Sequence, residues 1–199
     1  MLRRVSPELL DELPAADPRA VRSRADLRRV NTWMAHQSIL LRALRRVGMT
    51  RAPRRLVELG AGDGTFLLGF ARQLPAHADG TDAWLVDQQE LLATATLAEF
   101  ARLGWRVHTV RADVFHWLER PDAPRADVIL ANLFLHHFDE ARLRRLLHLA
   151  AARCDVFVAC EPRRSPRALA GARMLWAIGC NGVTRHDAVV SVRAGFNGC

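Results

Sequence analysis

The sequence predicts an α/β fold in which a mainly parallel sheet is doubly wound, with helices on both faces. Three observations predict it. Past Pro53, short apolar runs alternate with helical stretches, the pattern of linked βαβ units. The runs are continuously apolar, as expected of strands covered on both faces. A glycine-rich turn joins the first run to the helix after it, the junction at which such sheets bind ligands.

The elements follow in order. Residues 1–52 read as a helical N-terminal domain. Ser6-Pro7 and Asp17-Pro18 each put an N-cap residue before a proline at the first helical position. Trp33, Met34, Ile39, Leu40, Leu41, Leu44 and Val47 then recur at helical spacing, with Gly48 as the C-cap. Residues 53–199 read as the second domain. Its strands are expected at 56–59, 83–86, 105–110, 127–131 and 156–159. Its helices are expected from the glycine turn to about residue 74, over 88–103 with Gly104 closing, briefly over 114–118, over 139–153 with Asp139 as N-cap, and from about Ser165. No internal repeat is visible.

Composition bounds the function. The chain has 199 residues, half of them hydrophobic, and a net charge of +8. That balance excludes extended disorder and collagen-like repeats. No apolar run approaches the roughly 18 residues of a membrane span, and the N-terminal stretch has no apolar signal core. Cys154, Cys160, Cys180 and Cys199 form no C-x-x-C pair, so no metal site is expected and a reduced cytoplasmic chain is the default. The chain contains no lysine, so all 29 of its Lys/Arg cations are arginine. Residues 1–55 hold 13 of these against 5 acids, and the remainder is neutral by count. The excess charge therefore belongs to the N-terminal segment, where only Trp33 could stack on a base. This argues against nucleic acid as the partner.

The first strand runs into Glu58-Leu59-Gly60-Ala61-Gly62-Asp63-Gly64. The second ends at Asp87, and an acid there can accept both ribose hydroxyls of a nucleoside. The third leads to Asp113-Val114 and the fourth ends at Asn132. Asp87 and Asp113 could equally be helix caps. An E-x-G-x-G-x-G turn followed by these companions resembles the class I, Rossmann-like S-adenosylmethionine-dependent methyltransferases. The resemblance covers roughly residues 55–196. It implies S-adenosylmethionine as cofactor, with contacts at Glu58, Gly60, Ala61, Gly62, Asp87, Gln88, Asp113, Val114 and Asn132. Carboxylates suit a cofactor with a sulfonium and a diol, and Asp63 at the helix N-terminus would repel a pyrophosphate.

Methyl transfer needs alignment, and a base only for a protonated acceptor. His136 and His137, just after the fourth strand, are the candidate catalytic residues, with His137 favoured. The Leu-His-His segment, Glu161-Pro162-Arg163-Arg164-Ser165 and the stretches around His186 and Arg193 resemble a small-molecule branch. That branch is similar to quinone-biosynthesis and type III polyketide synthase-associated methyltransferases. It implies a small phenolic or polyketide-like acceptor methylated on oxygen or carbon, with Arg163, Arg164, His186 and Arg193 as substrate contacts. Trp33, Met34 and His36 are candidate lining residues of a lid formed by the N-terminal helices. The alternatives are an RNA methyltransferase using the basic segment and a catalytically silent cofactor-binding module. The family also implies one or two further strands beyond the fifth. Without them that strand is an apolar edge open to a homodimer partner.

Overall fold

The computed structural model describes residues 1–74 and 80–197. Cys199 lies outside the described residues. Contacts divide the chain into two compact units, Ala35–Asn132 with Ala141–Cys160, and Met1–Met34 with Leu133–Glu140 and Glu161–Cys199.

The first unit holds the sheet. Its five strands are β1 (Arg55–Leu59), β2 (Thr81–Asp87), β3 (Trp105–Arg111), β4 (Ala126–Asn132) and β5 (Cys154–Cys160). They are all parallel, in the order β3-β2-β1-β4-β5. Each extends the expected strand by no more than two residues at either end. The order reverses at β1, so β1 and β4 leave the switch point at which open α/β sheets bind ligands. Among the described residues, β5 is an edge strand.

Both faces of the sheet are covered. Leu56, Ala83, Leu85, Val128 and Leu130 share a core cluster with Leu40, Leu41 and Leu44 of α3 (His36–Arg46), Leu67 and Phe70 of α4 (Thr65–Ala71) and Phe100 of α5 (Thr94–Arg102). Val57, Leu59, Ile129 and Ala131 alternate with these along the strands and are buried on the other side of the pleat. Trp117 and Leu118 of α6 (Val114–Glu119) and Leu146 and Ala150 of α7 (Glu140–Arg153) are buried outside that cluster.

Two helix boundaries differ from expectation for local reasons. Helix α5 starts at Thr94 instead of residue 88. The Gln89 amide donates to Asp87 and the Gln88 side chain donates to Asp113, so this stretch bonds locally in place of a helical turn. The long amphipathic run breaks because Ala35 takes φ +54, ending α2 (Pro18–Trp33) and starting α3. A left-handed alanine costs roughly 1–2 kcal/mol, partly offset in glycine by extra unfolded-state entropy. Ala35→Gly is therefore expected to raise stability, by up to about 1 kcal/mol. A lower thermal midpoint would contradict that backbone assignment.

The second unit is helical. It contains α1 (Leu9–Glu12), α2, a 3-10 turn at Leu135–His137, α8 (Pro166–Arg173), a second 3-10 turn at Leu175–Ile178 and α9 (Gly182–Ala194). Asp17 caps α2 as expected, with Pro18 at the first turn. Ser6 does not cap a helix. The first helix starts at Leu9, and its Leu9 and Leu10 amides donate to the Asp187 carboxylate at 2.8 and 2.9 Å. Asp26 joins α2 to α9 by accepting from the Asn181 amide at 2.7 Å, and the Ser23 and Thr184 hydroxyls meet at 2.9 Å. After α9, Phe196 makes a parallel bridge to Arg163. Among the described residues, no helix is long and apolar enough to cross a membrane.

Candidate functional site

The sheet unit gathers the expected cofactor residues at the C-terminal ends of β1 to β4. The glycine loop leaves β1 and is tied to β2 at once, with the Gly60 and Ala61 amides donating to the Val86 carbonyl at 2.9 and 3.2 Å. Gly62 has φ +55, and an added Cβ there would meet nothing within 4 Å, so its outer side is open. Gly64 has φ +70, and a Cβ would come within 2.7 and 2.9 Å of the Leu92 and Leu85 side chains. One glycine thus keeps a surface clear, while the other permits close packing.

A chain of hydrogen bonds links the acids. The Gly62 amide donates to Asp87 Oδ2 at 2.9 Å, and the Gln89 amide donates to its Oδ1 at 2.8 Å. Gln88 Nε2 donates to Asp113 Oδ2 at 3.2 Å. Asp113 Oδ1 also caps α6, accepting from the Phe115 and His116 amides at 2.9 and 3.2 Å. Capping leaves carboxylate lone pairs on both residues for a ligand. Val114 and Ala61 are buried. Asp63 turns onto Thr65, accepting from its amide and hydroxyl.

Two buried polar atoms of β1 and β4, Glu58 Oε2 and Asn132 Oδ1, have no hydrogen-bond partner among the described residues. Their strands are neighbours, with Glu58 paired to Leu130 and Leu59 to Ala131. Burial, followed by the charges of Asp63 and Asp87, pushes the Glu58 carboxyl well above its ordinary value. Because ionisation is penalised in the folded state, stability falls as pH rises from about 4.5 towards the raised value. The slope is at most about 1.4 kcal/mol per pH unit. Glu58→Gln is expected to remove that fall. Comparing urea midpoints of variant and wild type at pH 5 and pH 8 checks it, and parallel pH profiles would show that Glu58 carries no such penalty.

The helical unit holds the two histidines. His136 is buried and bonded at both nitrogens, Nδ1 to Glu161 Oε2 at 2.7 Å and Nε2 to Glu8 Oε1 at 3.1 Å. Burial, the largest single influence, favours the neutral ring. Hydrogen bonds to Glu161 and Glu8, with their charges, outweigh it and raise the pKa to about 9. Glu161 also holds the backbone, accepting from the Phe134 and Leu135 amides at 2.9 and 2.8 Å and from the His136 amide at 3.3 Å. The chain enters this turn through Leu133 at φ +54. His137 is less enclosed, with Nδ1 3.1 Å from Asp11 Oδ2 and Nε2 4.0 Å from Glu8 Oε2.

The expected substrate residues separate. His186 and Arg193 of α9 line a recess of about 310 Å³ together with Arg4, Ser6, Pro7 and Val190. Arg163 and Arg164 are held by their backbone against Phe196, with the Arg164 amide donating to the Phe196 carbonyl at 2.8 Å. Trp33 and Met34 are exposed, Trp33 at 71%, while His36 is buried in the sheet unit. Glu8 and Asp11 were not found from sequence. Glu8 stands 128 residues from His136, and nothing in its local pattern signals that contact.

Comparison with known proteins bears on this arrangement. A family model described as a methyltransferase domain matches residues 28–182. Among solved structures, the chain is similar to the plantazolicin methyltransferase BpumL in complex with SAH. The TM-score is 0.60 at 15% identity, over 92% of this chain and 66% of that one. It is similar to the plantazolicin methyltransferase BamL in complex with a triazolic desmethylPZN analog and SAH. Here the TM-score is 0.62 at 12% identity, over 92% and 65%. An O-methyltransferase family protein from Burkholderia thailandensis gives a TM-score of 0.58 at 20% identity, over 92% and 52%. The chain thus spans from about half to two thirds of these proteins' lengths. Likeness at this level shows a shared fold. No curated protein matches the chain.

Proposed function

The chain belongs to the methyltransferase-domain family, and from that premise we propose that it transfers a methyl group from S-adenosylmethionine to an oxygen or carbon of a small phenolic or polyketide-like acceptor. The observation that carries the cofactor reading is the hydrogen-bonded row Gly62–Asp87 and Gln88–Asp113, beside the unpaired Glu58 and Asn132 oxygens. These acceptors suit the hydroxyl and amino donors of a sulfonium nucleoside. SAH in the BpumL and BamL structures supports the same cofactor.

Bound there, S-adenosylmethionine supplies a methyl carbon already activated by positive sulfur. The protein's own work is placement. Asp87 would accept the ribose hydroxyls while its tie to Gly62 fixes the loop. Asp113, its cap geometry set by α6, would accept the adenine amino group, and Val114 would be an apolar neighbour of the base. Arg4, Arg193 and His186 line one recess and favour an acceptor held as a phenolate or carboxylate. A phenolate arrives without its proton, so the transfer then requires no base.

The test pairs binding with turnover. SAH is expected to raise the thermal midpoint of the purified chain saturably, and labelled methyl is expected to pass to members of a phenolic acceptor panel. No SAH binding would overturn the cofactor reading. SAH binding with no transfer to any phenol, but transfer to RNA, would overturn the acceptor reading alone.

A further inference from the structure

We infer that Glu8, His136 and His137 form a binding site for one divalent transition-metal ion of the zinc type. The site lies wholly within the helical unit. One carboxylate oxygen and one nitrogen from each ring lie within 4.8 Å of one another. His136 Nε2 is 3.1 Å from Glu8 Oε1, and His137 Nε2 is 4.0 Å from Glu8 Oε2. The second distance is too long for a hydrogen bond. Two ligands of a tetrahedral ion with bonds of about 2.0–2.2 Å lie about 3.4 Å apart, so a small rotation of the His137 or Glu8 side chain closes the gap on binding.

The outer partners give the stronger argument. Histidines that bind metals hold their other ring nitrogen on a carboxylate or carbonyl, which fixes the tautomer and aims the ligating nitrogen. Here both do so. His136 Nδ1 is held by Glu161 at 2.7 Å and His137 Nδ1 by Asp11 at 3.1 Å. Both Nε2 atoms are thereby directed to the same carboxylate, and that carboxylate accepts from the Ser191 hydroxyl. A plain buried ion pair at His136 would not require the second histidine to share this orientation.

The donor set selects the ion. Two imidazoles and one carboxylate suit zinc and its neighbours, whereas magnesium and calcium prefer oxygen ligands throughout. On binding, the ion takes the place of the proton between His136 and Glu8. Glu8, Asp11 and Glu161 together supply the negative charge that balances it. Three protein ligands leave a fourth position for water or an oxygen anion. His137, at 23% side-chain exposure, lies on the more open side. His136 and His137 thus serve as ligands in place of the base role expected from sequence.

Tag-free, chelator-stripped full-length chain titrated with zinc in a calorimeter tests the site, alongside cobalt titrated by visible absorption. One zinc per chain and cobalt bands of four-coordinate nitrogen–oxygen ligation are expected. His137→Gln and Glu8→Gln should each weaken zinc binding at least 100-fold, and Asp11→Asn by roughly 10- to 100-fold. His148→Ala, at an exposed histidine outside the cluster, should leave it unchanged. The proposal is overturned by absence of stoichiometric zinc uptake, by equal binding of magnesium, or by uptake that His137→Gln leaves within threefold. Circular dichroism identifies a variant that fails to fold. If Glu8→Gln does so, the less enclosed His137→Gln decides.

Discussion

Asp87→Ala is expected to abolish the thermal shift that SAH gives the wild-type chain, with affinity falling at least about 100-fold. Two losses combine. Hydrogen bonds to a charged group contribute roughly 1.5–3 kcal/mol each, and a ribose diol would offer two donors to this carboxylate. Together they correspond to two or more orders of magnitude in Kd. The same carboxylate also accepts from the Gly62 and Gln89 amides at 2.9 and 2.8 Å, so its removal loosens the glycine loop and the start of the 88–93 stretch. Asp87→Asn separates these losses. It keeps one carbonyl acceptor, but its amide nitrogen meets donors on the other side. Asn is thus expected to bind SAH more weakly than wild type and more tightly than Ala. Calorimetry with all three chains measures the order. Equal affinities for wild type and Asp87→Ala would remove this carboxylate from the cofactor site.

The legible parts of the molecule were those decided locally. Parallel strands buried on both faces must be continuously apolar, so β1 to β5 stand out within two residues at each end. The glycine loop and Asp87, Asp113 and Asn132 were legible because they follow directly from strand ends. Asp113 illustrates the limit. Both readings open from sequence, cap and ligand, remain chemically compatible, because the residue caps α6 with one oxygen and keeps the other on Gln88.

What sequence could not show depends on distant pairings. Ala35 is left-handed without any glycine or asparagine to announce it. Asp187, beside the candidate His186, accepts from the Leu10 and Leu9 amides, 177 and 178 residues away. The histidine pair carries its own signal, but its meaning changes with Glu8, Asp11 and Glu161, which come from two other segments. With them, His136 is a ring held at both nitrogens instead of a free base. The net charge of +8 also finds a partial structural use. Arg3 of the basic segment donates to the Ala194 and Phe138 carbonyls at 2.7 and 2.8 Å, and its guanidinium lies 4.9 Å from the centre of the Phe196 ring.

Glu161→Gln is expected to destabilise the 133–140 turn more than any other single isosteric change in the helical unit. One buried carboxylate serves four donors, the amides of Phe134, Leu135 and His136 and the His136 ring. Glutamine keeps only one acceptor oxygen. If its amide nitrogen faces His136, the ring and its amide lose their acceptor. If it faces the other way, Phe134 and Leu135 do. The first case also leaves a buried imidazolium with Glu8 as its remaining partner. Breaking a buried charged pair from one side costs about 3–5 kcal/mol. At this chain length that lowers Tm by about 6–20 °C. Because the chain divides into two units, the local readout is the more decisive one. Hydrogen exchange at Phe134, Leu135 and His136 should accelerate by at least 100-fold in the variant, while amides in β1 and β4 keep their protection. Unchanged exchange at those three amides would show that Glu161 does not hold the turn, and would remove the carboxylate that orients His136.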